Sequence, residues 1–155
     1  KILPSPNFEI SNVILSTDLD KKFNEFAQIK KLKIYVSIRE LHSQKKLEIK
    51  KIIFSEANFN VNKNSFYYIN DFFRKKSSSK KIIIKKSKIF FRESVDKNDA
   101  IALSSIQKSE IFYDEKENSN KIIIDGSIFN SRYNLIFSRN IDNKSSRFFC
   151  ESDSA

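Results

Sequence analysis

The stretch Leu47–Val61, LEIKKIIFSEANFNV, decides the fold because its apolar residues follow the period of a β-strand. Steps of two return side chains to one face of a sheet, whereas a helix needs steps of three and four throughout. Two steps of three, at Lys50-Lys51 and at Ser55-Glu56, each add one polar residue that a β-bulge can absorb. The pattern predicts a strand with one apolar and one wet face, as in antiparallel sheets. The predicted apolar face carries Leu47, Ile49, Ile52, Phe54, Ala57, Phe59 and Val61, and Ile53 is the exception.

The same rhythm recurs along the chain and predicts a mainly β fold, a strongly twisted, curled antiparallel sheet. Asparagine-rich polar segments between the strands predict hairpin connections. Because the chain has one glycine, we expect Asn and Asp at the positive-φ positions. The other predicted strands are 8–15, 32–38, 82–91, 101–113 and 133–137, and the predicted turns are 37–44, 114–120, 130–132 and 139–146.

One or two short helices are predicted to interrupt the strands. The segment TDLDKKFNEFAQI, residues 17–29, has Thr17 or Asp18 as a cap and apolar residues at helical spacing. The segment NSFYYINDFFRKK, residues 64–76, has Ser65 as a cap and basic residues at its carboxyl end, where the helix dipole favours them.

The length of 155 residues suits a single β-rich domain with a sizeable core. The composition also allows two sub-units, 1–75 and 80–150, joined by a linker rich in serine and lysine. The chain begins at Lys1 and contains no methionine, so we expect a fragment or processed form of a longer protein, with a signal peptide or membrane anchor upstream.

A net charge of +10 raises the question of an anionic partner. The lysines are interleaved with apolar residues, Glu and Asn, which favours a solvated polar face. Contact with an anionic membrane surface is the second interpretation and nucleic acid the third. Because no arginine cluster or aromatic stacking platform stands out, we predict no nucleic-acid partner.

The residues that carry chemistry are few. A single His42 and a single Cys150 cannot build a zinc site, and Cys150 is interpreted as an unpaired thiol near the end of the chain. The lone Gly126 excludes a glycine-rich phosphate loop. We therefore predict no catalytic residues, no metal, no cofactor and no enzyme activity.

Several segments together resemble the amino-terminal region of AsmA-like proteins of Gram-negative bacteria. They are LPSPNFEISNVIL, FAQIKKLKIYVSI, KKLEIKKIIFSEANFNV, KKIIIKKSKIFFRE and IFNSRYNLIFS. The likeness covers about 130 residues by eye and is a pattern of strands without a catalytic signature. The chain departs from the family in its excess of lysine and its scarcity of glycine, and it lacks the family's membrane anchor and long carboxyl-terminal continuation.

The resemblance implies a bridge-like lipid-transfer protein of the periplasm, attached to the inner membrane and active in outer-membrane biogenesis. Its sheet would form a groove for phospholipid acyl chains. The alternative from the residues alone is a covered sheet that serves as a structural or assembly module and holds envelope protein partners. The expected groove residues are Leu32, Ile34, Val36, Leu47, Ile49, Ile52, Phe54, Phe59, Val61, Ile82, Ile84 and Ile89.

Overall fold

A computed structural model describes residues 6–19, 22–37, 48–93 and 100–153, which form one eight-stranded sheet and one helix. The chain is mainly β, as predicted. The elements are β1 (Asn7–Leu19), β2 (Lys22–Val36), β3 (Ile49–Val61), α1 (Lys63–Arg74), β4 (Lys81–Arg92), β5 (Ala100–Asp114), β6 (Ser119–Ile128), β7 (Ser131–Asn140) and β8 (Ser146–Ser152).

The strands follow one another across the sheet in chain order, so that β1 and β8 are its two edges. Neighbouring strands are antiparallel except for β3 and β4, which are parallel. The prediction of a wholly antiparallel sheet is therefore wrong. The reason is α1, because a helix between two strands carries the chain back to the end of the sheet at which the first strand began.

The three hairpins at the carboxyl-terminal half confirm the predicted turns. β5–β6, β6–β7 and β7–β8 are joined by short turns within 115–118, 129–130 and 141–145. Asparagine takes positive φ at Asn118 and Asn130 in these turns, as expected, but no Asp does so among the described residues. The other non-glycine residues with positive φ are Asn12, Glu56, Lys86, Phe129 and Lys144.

The helix predicted for residues 17–29 is wrong, because β1 runs to Leu19 and β2 starts at Lys22. Ala27 and Ile29 in this segment keep the strand period, and their pairing with Phe59 and Ala57 of β3 overrides the helical spacing.

The second helix is confirmed, but its cap is one turn earlier than predicted. Asn62 is the N-cap residue, and its Oδ1 accepts a hydrogen bond from the backbone N–H of Ser65 at 2.9 Å. The predicted turn at 37–44 lies outside the described residues from position 38 onward.

The bulge predicted at Lys50-Lys51 is confirmed. Tyr35 pairs with Lys51 and Val36 pairs with Ile49, so Lys50 is the extra residue on β3. At Ser55-Glu56 there is no extra residue relative to β2, because Ile29 pairs with Ala57 and Lys31 pairs with Ser55 in one register. Glu56 instead has a φ of 54°, which brings Phe54 and Ala57 to the same face although they are three residues apart. β3 has the same number of residues as β2 across this irregularity.

The same irregularity crosses the sheet at one level, which we call the break row. Its members lie opposite one another on neighbouring strands. At each of them, successive side chains of the apolar side are three residues apart instead of two. Asn12, Glu56 and Lys86 have positive φ, and Gln107 is an extra residue between the pairs Ile106–Gly126 and Lys108–Asp125. The break row consists of Asn12, Lys30, Glu56, Lys86 and Gln107.

The core lies next to the break row on one side of the sheet. Its buried members come from β2 to β5, and Phe26 contacts Phe59 edge to face with ring centroids 6.0 Å apart. Ser87 stands in this apolar set because its Oγ accepts a hydrogen bond from the Ala57 N–H at 3.0 Å, which satisfies a buried donor beside the break row. The buried apolar cluster is Ala27, Ile29, Ala57, Phe59, Ile84 and Ile106.

Candidate functional site

One side of the sheet, which we call the apolar face, is the side that carries Leu32, Phe54 and Ile84. Residues paired directly across neighbouring strands place their side chains on the same side of a sheet, so the register defines each face. An apolar row crosses all eight strands on this face without a polar member. The apolar row is Phe8, Ile34, Ile52, Ile82, Ile111, Ile122, Phe137 and Phe148, each paired with the next.

A second row on the apolar face is interrupted by one serine on β5 and continues through Ile124, Leu135 and Cys150 on β6 to β8. Ile10, Leu32, Phe54 and Ile84 are consecutive partners from β1 to β4, and Ser109 follows on β5. Serine also follows Ile89 on β5, at Ser104. Both rows are thus apolar from β1 to β4, whereas the apolar face also carries Ser87 on β4 and Ser104 and Ser109 on β5.

The predicted groove residues that the structure describes lie together on the apolar face. Val36, Phe59, Val61 and Ile84 are buried, while Ile49 is 39% exposed. Leu47 lies outside the described residues. The remaining predicted groove residues, all half-buried, are Leu32, Ile34, Ile52, Phe54, Ile82 and Ile89.

Sequence reasoning missed the ends of the apolar row. Phe8 is 53% exposed on β1 and Phe148 is 66% exposed on β8, so apolar surface is open to solvent at both edges. The sequence pattern places Phe8 in a strand, whereas for β8 it predicts only the hairpin turn at 139–146 that precedes the strand. Only the register, which joins residues 140 positions apart in the chain, puts both into one row.

The helix α1 covers part of the apolar face at β6 and β7. The Phe73 ring meets the Phe137 ring edge to face, with centroids 5.8 Å apart. Arg139 donates a hydrogen bond to Asn70 Oδ1 at 3.4 Å. The apolar face is therefore covered where α1 packs and is solvent-exposed at Phe8 and at Ile10, which is 46% exposed.

Asn120 fixes the end of α1 to the sheet. It is completely buried, and its Nδ2 donates to the backbone oxygens of Phe73 at 2.9 Å and Lys75 at 2.8 Å. Its Oδ1 accepts from Ser77, at 3.0 Å from the backbone nitrogen and 2.6 Å from Oγ. The last carbonyls of a helix lack partners within the helix, and Asn120 supplies them.

Gly126 makes room for an aromatic ring on the same face. A Cβ at this position would lie 2.6 Å from the backbone oxygen of Ser105 and 2.8 Å from the Tyr133 hydroxyl oxygen. The Tyr133 ring therefore lies across β6 and reaches β5, where its hydroxyl is 2.7 Å from Ser104 Oγ. The lone glycine serves packing within the sheet.

The opposite side of the sheet, which carries Lys31, Lys85 and Lys108, is the basic face. It also contains a row of apolar residues that is interrupted by Glu110 on β5, half-buried on β3, β4 and β6 and exposed on β7 and β8. Ile53 is therefore no isolated exception, and the prediction of a uniformly polar face is wrong. The Lys51 ammonium lies 4.4 Å from the centre of the Tyr35 ring, and the Lys81 ammonium lies 5.0 Å from the centre of the Phe112 ring. Both are cation–π contacts, in which the ring face attracts the positive charge. That row runs from Ile53 through Ile83, Glu110, Ile123 and Ile136 to Phe149.

Carboxylates on the basic face are held ionised by lysines. The Lys108 and Lys81 ammonium groups, both 2.7 Å from Glu110, hold the pKa of that carboxyl below its usual value. The Lys121 ammonium, 2.8 Å from Asp114, lowers the pKa of Asp114 in the same way. Lowered carboxyl pKa values suit ion pairs and do not suit a general acid at neutral pH.

This ion pairing predicts a loss of stability in acid. A carboxyl whose pKa is depressed by folding stabilises the fold above its unfolded pKa, here near 4.5 for Glu110, and the contribution is lost as the pH falls through the folded value. We expect the urea midpoint of unfolding to fall between about pH 5 and pH 3, and to fall less in Glu110→Gln. An equal fall in both proteins would show that Glu110 does not contribute.

The described residues hold no group of three His, Cys, Asp or Glu side chains that fits a metal ion. Cys150 is an exposed free thiol on β8, and His42 lies outside the described residues. Within the part of the chain that the structure covers, no helix has the length and apolar character needed to cross a membrane.

No protein-family model matches the chain, and no curated protein sequence matches it either.

Proposed function

We propose that this chain is a non-catalytic, AsmA-like lipid carrier whose apolar face receives phospholipid acyl chains. The observation that carries the proposal is the apolar row, which crosses the sheet perpendicular to the strands and is exposed at both edges. A carrier of this kind contacts acyl chains along such a surface and leaves the headgroup in water.

The dimensions of the apolar row suit an acyl chain. Strands lie about 4.8 Å apart, so a row of eight residues spans about 34 Å. One leaflet of a bilayer has a hydrocarbon depth of about 15 Å, half of the full core, so an acyl chain fits along part of the row. Burying a methylene on such a surface contributes about 0.8 kcal/mol.

A curled sheet is the finer part of the proposal. Ala27 of β2 and Ala57 of β3 are completely buried on the apolar face. The ring contact and the hydrogen bonds of α1, by contrast, are made with β6 and β7. A strong twist and curl that bring neighbouring side chains over these small residues would account for their burial. The break row, where β1, β3 and β4 each have a residue with positive φ, supplies a place for the sheet to bend.

The cellular setting follows from the resemblance alone. We propose that the full-length protein is attached to the inner membrane by an anchor upstream of this chain. The chain itself would lie in the periplasm and act in outer-membrane biogenesis. The second candidate is an assembly module of the envelope, favoured by the cover that α1 gives to Phe137 and by the two open sheet edges.

Photo-crosslinking tests the lipid-carrying proposal. A photoreactive phenylalanine analogue at Phe54, half-buried on the apolar face, is expected to capture co-purifying phospholipid. The same analogue at Asn58, exposed on the opposite side of the same strand, is the matched control and should capture little. The readout is the mass of the adduct after extraction of unbound lipid.

A second pair of variants separates lipid binding from folding. Ile10→Asp places a charge on the exposed part of the apolar face, whereas Ser11→Asp places it on an adjacent exposed residue of the other side. We expect Ile10→Asp alone to reduce lipid recovered with the folded protein. Equal adducts at Phe54 and Asn58, or none at Phe54 in a folded protein, would remove the lipid proposal and favour the assembly module.

A further inference from the structure

Large apolar side chains are exposed at the end of the sheet where β4 ends, β5 begins and the β6–β7 turn lies. Ile101 is 68% exposed, Leu103 40% and Phe129 78%. Leu103 pairs with Phe90 of β4, and Ile128, which precedes Phe129, pairs with Ser104. These side chains thus adjoin one another at one end of the sheet.

Three lysines of β4 lie between the middle of the strand and this apolar surface: Lys85 and Lys86 are at mid-strand, and Lys88 is the nearest to the end. Lys85, Lys86 and Lys88 are all exposed, and Lys88 is two residues from Phe90 and therefore on the same side of the strand. No ion pair in the described part of the chain involves any of the three, whereas Lys81 on the same strand is paired with Glu110. The charge of Lys86 contributes to the lowered pKa of Glu56, whereas the charges of Lys85 and Lys88 are available to a partner.

We propose that this end of the sheet docks onto the surface of an anionic lipid bilayer. Lysines attract the negative surface potential of such a membrane, and exposed apolar side chains insert at the boundary between headgroups and acyl chains. Neither feature alone would make an interface, but the two meet at Lys88, which is two residues from Phe90, the partner of Leu103. We call this surface the docking end; it comprises Lys85, Lys86, Lys88, Ile101, Leu103 and Phe129.

A membrane fits the docking end better than a nucleic acid does. Ile101 and Leu103 gain nothing from a phosphate backbone, because that backbone is charged and hydrated. The three cations of the docking end are lysines, which act as point charges and lack the forked geometry by which arginine recognises phosphate and base edges. A bilayer uses both the charge and the apolar side chains.

The proposal does not depend on lipid being carried by the apolar face. Lys85 and Lys88 project from the basic face, on the other side of the sheet from Phe54. Membrane docking and acyl-chain binding can therefore be tested separately, and either can fail alone.

Flotation with vesicles tests the docking end in the full chain. Vesicles of phosphatidylcholine with about one third phosphatidylglycerol are compared with vesicles of phosphatidylcholine alone. We expect binding to the anionic vesicles only, and a fall in binding as salt is added. The double variant Lys85→Gln/Lys88→Gln should weaken binding about tenfold or more, and Phe129→Ser should weaken it without changing the salt dependence.

The matched control is Lys50→Gln/Lys116→Gln, which removes the same charge from exposed lysines at the opposite end of the sheet. Its binding should stay near that of the parent protein, and circular dichroism should show all variants folded. Equal weakening by the two double variants would overturn the proposal in favour of overall charge. Absence of binding to anionic vesicles would overturn it as well. So would tighter binding to a single-stranded oligonucleotide that depends on Lys85 and Lys88.

Discussion

Asn120→Ala is expected to destabilise the fold by about 2–4 kcal/mol. The substitution removes all four hydrogen bonds of a completely buried side chain at once. The backbone oxygens of Phe73 and Lys75 then lose the Asn120 donor, and the N–H of Ser77 loses the Asn120 acceptor. The bond to Phe73 is buried and the other bonds are partly buried, so water replaces them incompletely. Urea unfolding followed by circular dichroism measures the change in the free energy of unfolding.

Two further variants make the Asn120 result specific. Asn120→Asp retains an acceptor for Ser77 but cannot donate to the two carbonyl oxygens, so we expect it to be about as unstable as Asn120→Ala. Asn58→Ala removes an exposed amide on β3 and should change the free energy of unfolding by less than about 0.5 kcal/mol. If Asn120→Ala were as stable as Asn58→Ala, Asn120 would not hold α1 to the sheet.

Phe59→Ala is expected to cost about 3–5 kcal/mol, because it empties the centre of the buried cluster. Phe59 is 8% exposed, lies opposite Ala27 and Ile89, and contacts the Phe26 ring. Its small neighbour Ala27 cannot expand into the space, so a cavity remains. Native proteins are stable by only about 5–15 kcal/mol, and a large part of this chain's stability would be lost.

Phe149→Ala is the matched control for Phe59→Ala. It makes the same truncation at a ring that is 51% exposed on the edge strand β8, where solvent fills the space. We expect a much smaller change in the midpoint of urea unfolding than for Phe59→Ala. Similar midpoints for the two variants would mean that the cluster around Phe59 is not the stabilising core.

Local periodicity was sufficient to identify most strands, because each strand has to bury one face. It did not identify β6 or β8, which only the predicted hairpin turns imply; in β8, Phe148 and Phe149 are both exposed and the residues do not alternate. It also failed at residues 17–29, where spacing compatible with a helix lies in a segment that pairs with β1 and β3. The helix between β3 and β4 explains the parallel pair, because a helical crossover returns the chain to the end of the sheet at which β3 begins.

The candidate site was predictable strand by strand but not across strands. Ile52, Phe54 and Ile84 were placed on one face from their spacing alone, and the structure confirms that placement. The apolar row depends on register, which arises from contacts between residues far apart in the chain. Asn120 and Tyr133 could not be recognised from the sequence, since their partners, Phe73 and Ser104, are 47 and 29 residues away.

Because the break row crosses several strands at one level, the number of residues in each of these strands has to match that in its neighbours. A chain that lost Glu56 would resume strict alternation and keep Phe59 and Val61 on the apolar face, but both residues would lie one position out of register with β2 and β4, which still step at Lys30 and Lys86. A change of residue at the break row alters one side chain, but a change of residue number puts half a strand out of phase with both neighbours. Insertions and deletions at the break row are compatible with the fold only when adjoining strands change together. The sheet therefore tolerates substitutions at these positions far more readily than a change in the number of residues.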